Sequence, residues 1–126
     1  MIERDYYSTI NKYYQKKATE TIVWEAKITK TKNIPFACLA PHQEENLLKA
    51  ERVLTYKIPD VGRGQKPFDG MVFCGATAVF IAIYYMPRKT EMYEILFRDF
   101  VNEKYKSGKK SLSIERAREI ARVQIL

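Results

Sequence analysis

The tripeptide Glu25-Ala26-Lys27 combines an acid and a lysine at a spacing that could support metal-assisted chemistry. It lies in residues 21–29, whose alternating apolar pattern and β-branched ends predict a strand. Side chains two residues apart on a strand point to the same face, so we expect Glu25 and Lys27 to lie together. The carboxylate could ligate Mg²⁺, and the lysine could hold an attacking water or stabilise charge on a phosphate. The same pair is also common on the solvent face of an ordinary strand, so the tripeptide alone does not define a site.

A second acid, Asp69, stands at the head of a predicted hairpin, followed by Gly70 and preceded by Lys-Pro-Phe. Metal-assisted cleavage of a phosphodiester needs a further carboxylate to complete the cation site, and Asp69 is the natural candidate. The alternative is a turn-forming Asp-Gly pair. Because Lys-Pro-Phe makes a poor strand, we favour the interpretation in which Glu25 and Asp69 hold Mg²⁺ or Mn²⁺ beside Lys27.

The run from Glu25-Ala-Lys27 through Thr-Lys-Asn-Ile-Pro-Phe to His42-Gln43 at a helix start resembles Holliday-junction resolvases of the recombination protein U type. Those proteins belong to the PD-(D/E)xK nuclease superfamily, and the resemblance covers about residues 20–100. It implies a restriction-endonuclease-like fold, which is α/β with a mixed central β-sheet flanked by helices. It also implies a metal-dependent DNA endonuclease that cleaves branched DNA, such as a four-way junction, as a homodimer.

The order of the acids departs from that family. There the metal-binding Asp normally sits on the strand before the acid-x-lysine strand, but no acid in residues 1–20 has such a setting. A rearranged site fits the sequence, with Asp69 on one strand and Glu25 and Lys27 on a neighbouring strand. The departure leaves open a catalytically silent DNA-binding or scaffold protein. Another restriction-like or nicking nuclease also stays open, because catalytic residues do not specify substrate shape.

Other polar residues are secondary candidates for the same site. Gln43 begins the inward-facing stripe of its predicted helix, where it could position water or a phosphate, or be a satisfied core amide. His42 could contact a phosphate, and as the only histidine it argues against a structural zinc site. Asp60 is either a turn residue or a replacement for Asp69 as ligand. Glu3 could supply a further carboxylate, since some members of the resembled family use one on the first helix.

The chain has 126 residues, a net charge of +7 and a pI of about 9.4, which favours polyanionic partners. The basic residues are scattered, so charge alone puts nucleic-acid binding only slightly ahead of a basic surface without such a partner. Some of them flank the proposed centre in sequence, and we predict that they position DNA through its phosphates without base specificity. They are Lys30, Lys32, Arg63 and Lys66. An RNA-binding function is a further alternative, which only the basic charge and the scattered aromatic residues support.

Hydrophobic periodicity predicts the elements that position these residues. We expect a single domain over residues 1–126, with a core of about 1–104 and a C-terminal helix of about 113–125 appended by a basic, flexible link. The earlier predicted helices cover residues 1–18, 41–54 and 99–104. The predicted strands cover residues 21–29, 56–58, 68–73, 77–85 and 92–97. We expect 68–73 and 77–85 to form a hairpin, and Ser113 to cap the last helix.

Other classes of protein find little support. No apolar run reaches the roughly 20 residues of a membrane helix, and we expect no secretory signal and no disulfide framework. Cys38 and Cys74 are expected to be reduced thiols in the cytoplasm, or in that of the host cell if the chain is viral. No Walker or dinucleotide-binding loop is present, and a catalytic triad would have only His42 to draw on. The tyrosine-rich first helix or the last helix could form the dimer interface.

Overall fold

Four α-helices and eight β-strands make up the described part of the chain, which a computed structural model gives for residues 2–17, 22–57, 70–74 and 76–126. The helices are α1 (Tyr7–Lys17), α2 (Pro41–Arg52), α3 (Phe97–Lys106) and α4 (Ile114–Ile120). The strands are β1 (Ile22–Thr29), β2 (Asn33–Pro35), β3 (Val53–Lys57), β4 (Gly70–Cys74), β5 (Thr77–Tyr84), β6 (Glu91–Leu96), β7 (Ser111–Ser113) and β8 (Val123–Gln124). Short 3₁₀ turns at Glu3–Tyr6 and Phe36–Cys38 precede α1 and α2. Each helix in these described ranges is too short or too polar to cross a membrane.

The central sheet is mixed and four-stranded, in the order β1-β5-β6-β8. β1 and β5 run parallel, with Glu25 opposite Phe80 and Lys27 opposite Ala82. β6 is antiparallel to both of its neighbours. A parallel pair needs a long crossover connection, and the connection from β1 to β5 includes α2. The predicted α/β architecture with a mixed sheet flanked by helices is therefore confirmed.

β5 is the central strand, and its side chains alternate between two apolar layers. Every residue from 78 to 84 is buried, which explains the apolar run in the sequence. Phe80 faces the layer formed with α2, α3 and α4, where its ring stacks on Phe100 with centroids 4.1 Å apart. Ile81 faces the other layer, together with the fully buried Ile10 of α1. One helix thus covers one face of the sheet, and the other three cover the opposite face.

The pairing of β4 differs from the sequence-based prediction. β4 is antiparallel to β3, with Lys57 opposite Gly70, so the predicted hairpin of residues 68–73 with 77–85 is wrong. β5 lies between β1 and β6 instead. Its almost wholly apolar sequence fits that position, because a central strand must bury both of its faces.

The C-terminal region also differs, because it contributes strands as well as a helix. β7 pairs with β2, and the opposed Ile34 and Leu112 are both buried. The predicted cap is confirmed, since the Ser113 hydroxyl accepts a hydrogen bond of 3.2 Å from the Arg116 N–H. The helix ends at Ile120, short of the predicted residue 125, and the chain then pairs with β6 as β8.

Candidate active site

Glu25 and Lys27 share the face of β1 that is turned toward α2. Val23, on the same face, packs against the apolar layer under α2 and α3, whereas Trp24 and Ala26 belong to the layer under α1. Lys27 Nζ lies 3.6 Å from Glu25 Oε1. The Lys27 side chain is 20% exposed and that of Glu25 is 27% exposed. A carboxylate and an ammonium group therefore meet where solvent and a ligand can reach them.

Gln43 connects this pair to the start of α2. It is the third residue of the helix, and its Oε1 accepts a hydrogen bond of 3.0 Å from the N–H of Ala40, which precedes the helix. A glutamine at this position commonly reaches back in this way, because the first N–H groups of a helix lack intrahelical partners. Its Nε2 donates a hydrogen bond of 3.0 Å to Glu25 Oε1. Helix and strand together therefore fix the orientation of the carboxylate.

Cys38 is a neighbour of Lys27 that sequence analysis did not include in the site. Burial raises the pKa of its thiol to about 11, and the positive charge of Lys27 partly opposes this rise. The charges of Glu3 and Lys104 also act on the same thiol pKa, the first raising it and the second lowering it. Such a thiol is protonated at neutral pH, so Cys38 does not act there as a thiolate nucleophile.

Lys104 belongs to the packing of α3 on α2. Its Nζ lies 3.1 Å from Glu44 Oε2, and this hydrogen bond raises the pKa of the lysine. The Tyr105 hydroxyl donates a second hydrogen bond to Glu44, at 3.3 Å. Glu44 directly follows Gln43, so these contacts also hold the first turn of α2 in place.

The donor set around Glu25 fits a hard divalent cation in part. Its Oε1 receives the contacts of Gln43 and Lys27, and among described residues no hydrogen bond reaches Oε2. Mg²⁺ keeps several waters and often takes only one or two carboxylates from a protein. No group of three His, Cys, Asp or Glu side chains within the described ranges could hold a metal by itself. Glu25 thus offers one ligand to such a cation, and a site with two carboxylates would need the second from elsewhere in the chain.

Several predicted site residues lie outside the described residues. They fall in the segment 58–69 and are Asp60, Arg63, Lys66 and Asp69. The strand after this segment, β4, pairs with β3, whereas β1 pairs with β5. The described pairings therefore do not place β1 and β4 side by side, and the approach of Asp69 to Glu25 stays a prediction.

The remaining candidates lie on or next to the two elements, β1 and α2, that carry Glu25, Lys27 and Gln43. His42 is exposed in the first turn of α2, next to Gln43. Lys30 and Lys32 are exposed in the loop that follows β1 directly. Glu3 is half-exposed, in a 3₁₀ turn that contacts β1. His42 thus lies on α2, and the other three lie next to β1. None of the four contacts the carboxylate of Glu25 by a described hydrogen bond.

A second polar cluster lies toward the β8 side of the sheet. Glu94 is 1% exposed, accepts a 2.5 Å hydrogen bond from the Tyr14 hydroxyl and pairs with Arg122. Glu91 is 6% exposed and lies 2.7 Å from an Arg118 nitrogen. An open cavity of about 420 Å³ adjoins the cluster. Because these partners satisfy both buried carboxylates, we infer that the cluster stabilises the fold. In the sequence, its only signal was the presence of two acids within the apolar strand β6.

Comparison of the chain with protein-family models, with curated proteins and with solved structures finds no match.

Proposed function

We propose that the chain is a metal-dependent DNA endonuclease of restriction-endonuclease-like fold that acts on branched DNA, as a Holliday-junction resolvase does. The observation that supports this best is the arrangement at β1. Lys27 Nζ approaches Glu25 Oε1 at 3.6 Å, and Gln43 Nε2 holds the same oxygen at 3.0 Å. An oriented carboxylate that can take part in a metal site, beside an ammonium group that can stabilise a charged phosphate, suits metal-assisted phosphodiester hydrolysis.

Each side chain has a distinct part in the proposed reaction. Glu25 and Asp69 would hold Mg²⁺ or Mn²⁺, which supplies charge neutralisation and Lewis-acid polarisation at the phosphate. Lys27 stabilises the negative charge that grows on the phosphate, or holds the water that attacks it. Gln43 keeps Glu25 in one orientation by its hydrogen bond. Lys30, Lys32, Arg63 and Lys66, with His42, contact the DNA backbone.

The proposed assembly is a homodimer in the cytoplasm. Resolution of a four-way junction needs two symmetric incisions, which a two-fold dimer with two sites supplies. Two surfaces are candidates for the interface. One is α1, where Tyr7 is 37% exposed and its ring packs edge-to-face on Trp24 at 5.2 Å. The other is the C-terminal helix α4.

Cleavage of labelled DNA tests the proposal. Wild-type protein is incubated with a four-way junction, a flapped duplex and a linear duplex, with Mg²⁺, Mn²⁺ or a chelator. We expect paired incisions in the junction that need the metal, and loss of cleavage with retained binding in Lys27→Gln and Asp69→Ala. Equal cutting of all three DNAs would identify a different nuclease. Binding without cleavage under either metal would contradict the enzyme and leave a DNA-binding protein.

A further inference from the structure

The carboxyl ends of β1 and β5 meet at the same end of the sheet, because these strands are parallel. Thr29 is opposite Tyr84, and the Tyr85 N–H donates a hydrogen bond of 2.8 Å to the Thr29 carbonyl. The chain leaves β1 into the loop of Lys30 and Lys32, and it leaves β5 into the turn that contains Arg88 and Lys89. Two basic segments that are far apart in sequence therefore begin side by side.

A third basic segment reaches the same end of the sheet through β7. The Tyr84 hydroxyl donates a hydrogen bond of 3.0 Å to the Leu112 carbonyl. The Ile114 N–H donates to the Lys32 carbonyl at 2.8 Å, and the Phe36 N–H donates to the Lys110 carbonyl at 3.0 Å. The preceding turn uses Gly108 at φ 72°, a conformation that glycine adopts without strain. Lys109 and Lys110 are thereby fixed beside the loop that follows β1.

These three segments form one surface, which we call the basic edge. Its residues are Lys30, Lys32, Arg88, Lys89, Lys109 and Lys110. All six are exposed, and none forms an ion pair with another residue in the described ranges.

Four basic residues on α3, on α4 and just after α4 are different, because each of them pairs with an acid. The pairs are Lys104 with Glu44, Arg116 with Glu103, Arg118 with Glu91 and Arg122 with Glu94. Other exposed cations without a described ion pair, such as Lys12, Lys16 and Arg98, are spread over α1 and α3. The three segments of the basic edge instead bring six such cations, which the sequence scatters, to one end of the sheet, where Lys89 also lowers the pKa of the buried Glu91. A row of unpaired cations attracts a polyanion and releases its counterions.

We propose that the basic edge is a binding surface for the phosphate backbone of duplex DNA, built from all three segments. This rests on the proposed function, because it supplies the substrate surface next to Lys27, which lies two residues before the carboxyl end of β1. Sequence position alone suggested Lys30 and Lys32 as phosphate contacts. The structure adds four residues to them, which are Arg88, Lys89, Lys109 and Lys110. Contacts of this kind hold DNA in place without reading its bases.

Salt-dependent binding tests the basic edge without any cleavage. The double variants Lys109→Gln/Lys110→Gln and Arg88→Gln/Lys89→Gln are compared with Lys12→Gln/Lys16→Gln, which removes the same charge. Lys12 and Lys16 are exposed on α1. This helix covers the face of the sheet opposite to α2, α3 and α4, and in the sequence it ends shortly before β1 begins. Binding of a labelled four-way junction is measured by fluorescence anisotropy in a chelator, from about 50 to 300 mM salt. Circular dichroism checks that each variant is folded.

We expect each basic-edge variant to bind DNA more weakly than the wild type. The negative slope of log K against log[salt] should become shallower by about 1 to 2, since each lost phosphate contact reduces its magnitude by about 0.9. The α1 variant should keep the wild-type slope. An equal loss in the α1 variant, or wild-type slopes in both basic-edge variants, would overturn the proposal. The proposed enzyme is tested separately. If the wild type cleaves DNA but the basic-edge variants bind it like the wild type, only the proposed binding surface is rejected. If the wild type binds DNA in a manner that depends on the basic edge but does not cleave it, only the proposed enzymatic activity is rejected.

Discussion

Gln43 Nε2 donates a hydrogen bond of 3.0 Å to Glu25 Oε1, while Gln43 Oε1 accepts one of 3.0 Å from the Ala40 N–H. One side chain thus joins the start of α2 to the carboxylate on β1. The Lys27 ammonium approaches the same carboxylate oxygen. The orientation of Glu25 therefore depends on the position of α2, and this dependence can be measured.

Gln43→Leu should reduce the rate of DNA cleavage about 10- to 100-fold, because residues that orient a metal ligand typically contribute that much. The Mg²⁺ concentration that gives half the maximal rate should rise at the same time. Asn46→Leu, at an exposed position of the same helix, is the matched control. If Gln43 served only to cap α2, the variant would lose stability while its Mg²⁺ dependence stayed that of the wild type.

Tyr14→Phe should lower the free energy of unfolding by about 1.5 to 3 kcal/mol, the usual contribution of a hydrogen bond to a charged group. The variant removes the 2.5 Å hydrogen bond that Tyr14 donates to the buried Glu94. Tyr13→Phe removes a hydroxyl from the neighbouring ring, and we expect it to change stability by less than about 0.5 kcal/mol. Urea unfolding of both variants makes the comparison. Equal stability of the two would show that the Glu94 cluster does not hold α1 on the sheet.

Stability should fall in acid partly because of Glu91. Hydrogen bonds from Arg118 and Tyr93 lower the pKa of this carboxyl below its ordinary value of 4.5. A lowered folded-state pKa contributes stability that is present above pH 4.5 and is lost as the pH falls toward the folded-state value. Arg118→Gln should therefore be less stable at neutral pH, with a curve of stability against pH that converges on the wild type in acid.

The control for this pH series is Lys49→Gln. It breaks an exposed pair with Glu45 at 3.1 Å, in which both side chains are more than half exposed. Such pairs contribute at most about 1 kcal/mol, so the control curve should follow the wild type closely. An Arg118→Gln curve parallel to the wild type from neutral pH to acid would contradict the assignment to Glu91.

Alkylation of Cys38 should be slow in the folded protein. Burial raises the thiol pKa from 9.0 to about 11, so at pH 8 the thiolate fraction falls about 100-fold. In a Cys74→Ser background, the rate of reaction with iodoacetamide reports this one thiol. Lys27→Gln should move the rate profile to still higher pH, because the Lys27 charge lowers the thiol pKa. An unchanged profile in Lys27→Gln would mean that Lys27 does not face Cys38 and that the site is assembled differently.

Local patterns in the sequence predicted the parts of the fold that local physics determines. The alternation around Glu25 and Lys27 placed both on one strand face, because strand side chains have a period of two. The apolar run of β5 indicated a central strand, and Ser113 indicated a helix start. The helix before β3 was also predicted, with its end at 54 instead of Arg52.

Partners across the sheet could not be predicted in the same way. β2, β7 and β8 have only two or three residues each, too few for any periodicity to appear. Their existence depends on pairing between distant segments, as between Ile34 and Leu112. For the same reason the sequence suggested a flexible link at Lys109 and Lys110, although Phe36 fixes the Lys110 carbonyl.

Single-turnover cleavage of a labelled four-way junction tests the central claim most directly, with enzyme in excess and Kd measured separately in Ca²⁺. Wild type is compared with Lys27→Gln and with Lys12→Gln, a variant of equal charge on α1. We predict that Lys27→Gln cuts about 10²- to 10³-fold more slowly at an unchanged Kd, since Lys27 acts on charge that develops during the reaction. Lys12→Gln should cut like the wild type. Wild-type cleavage rates in Lys27→Gln would contradict the proposed active site.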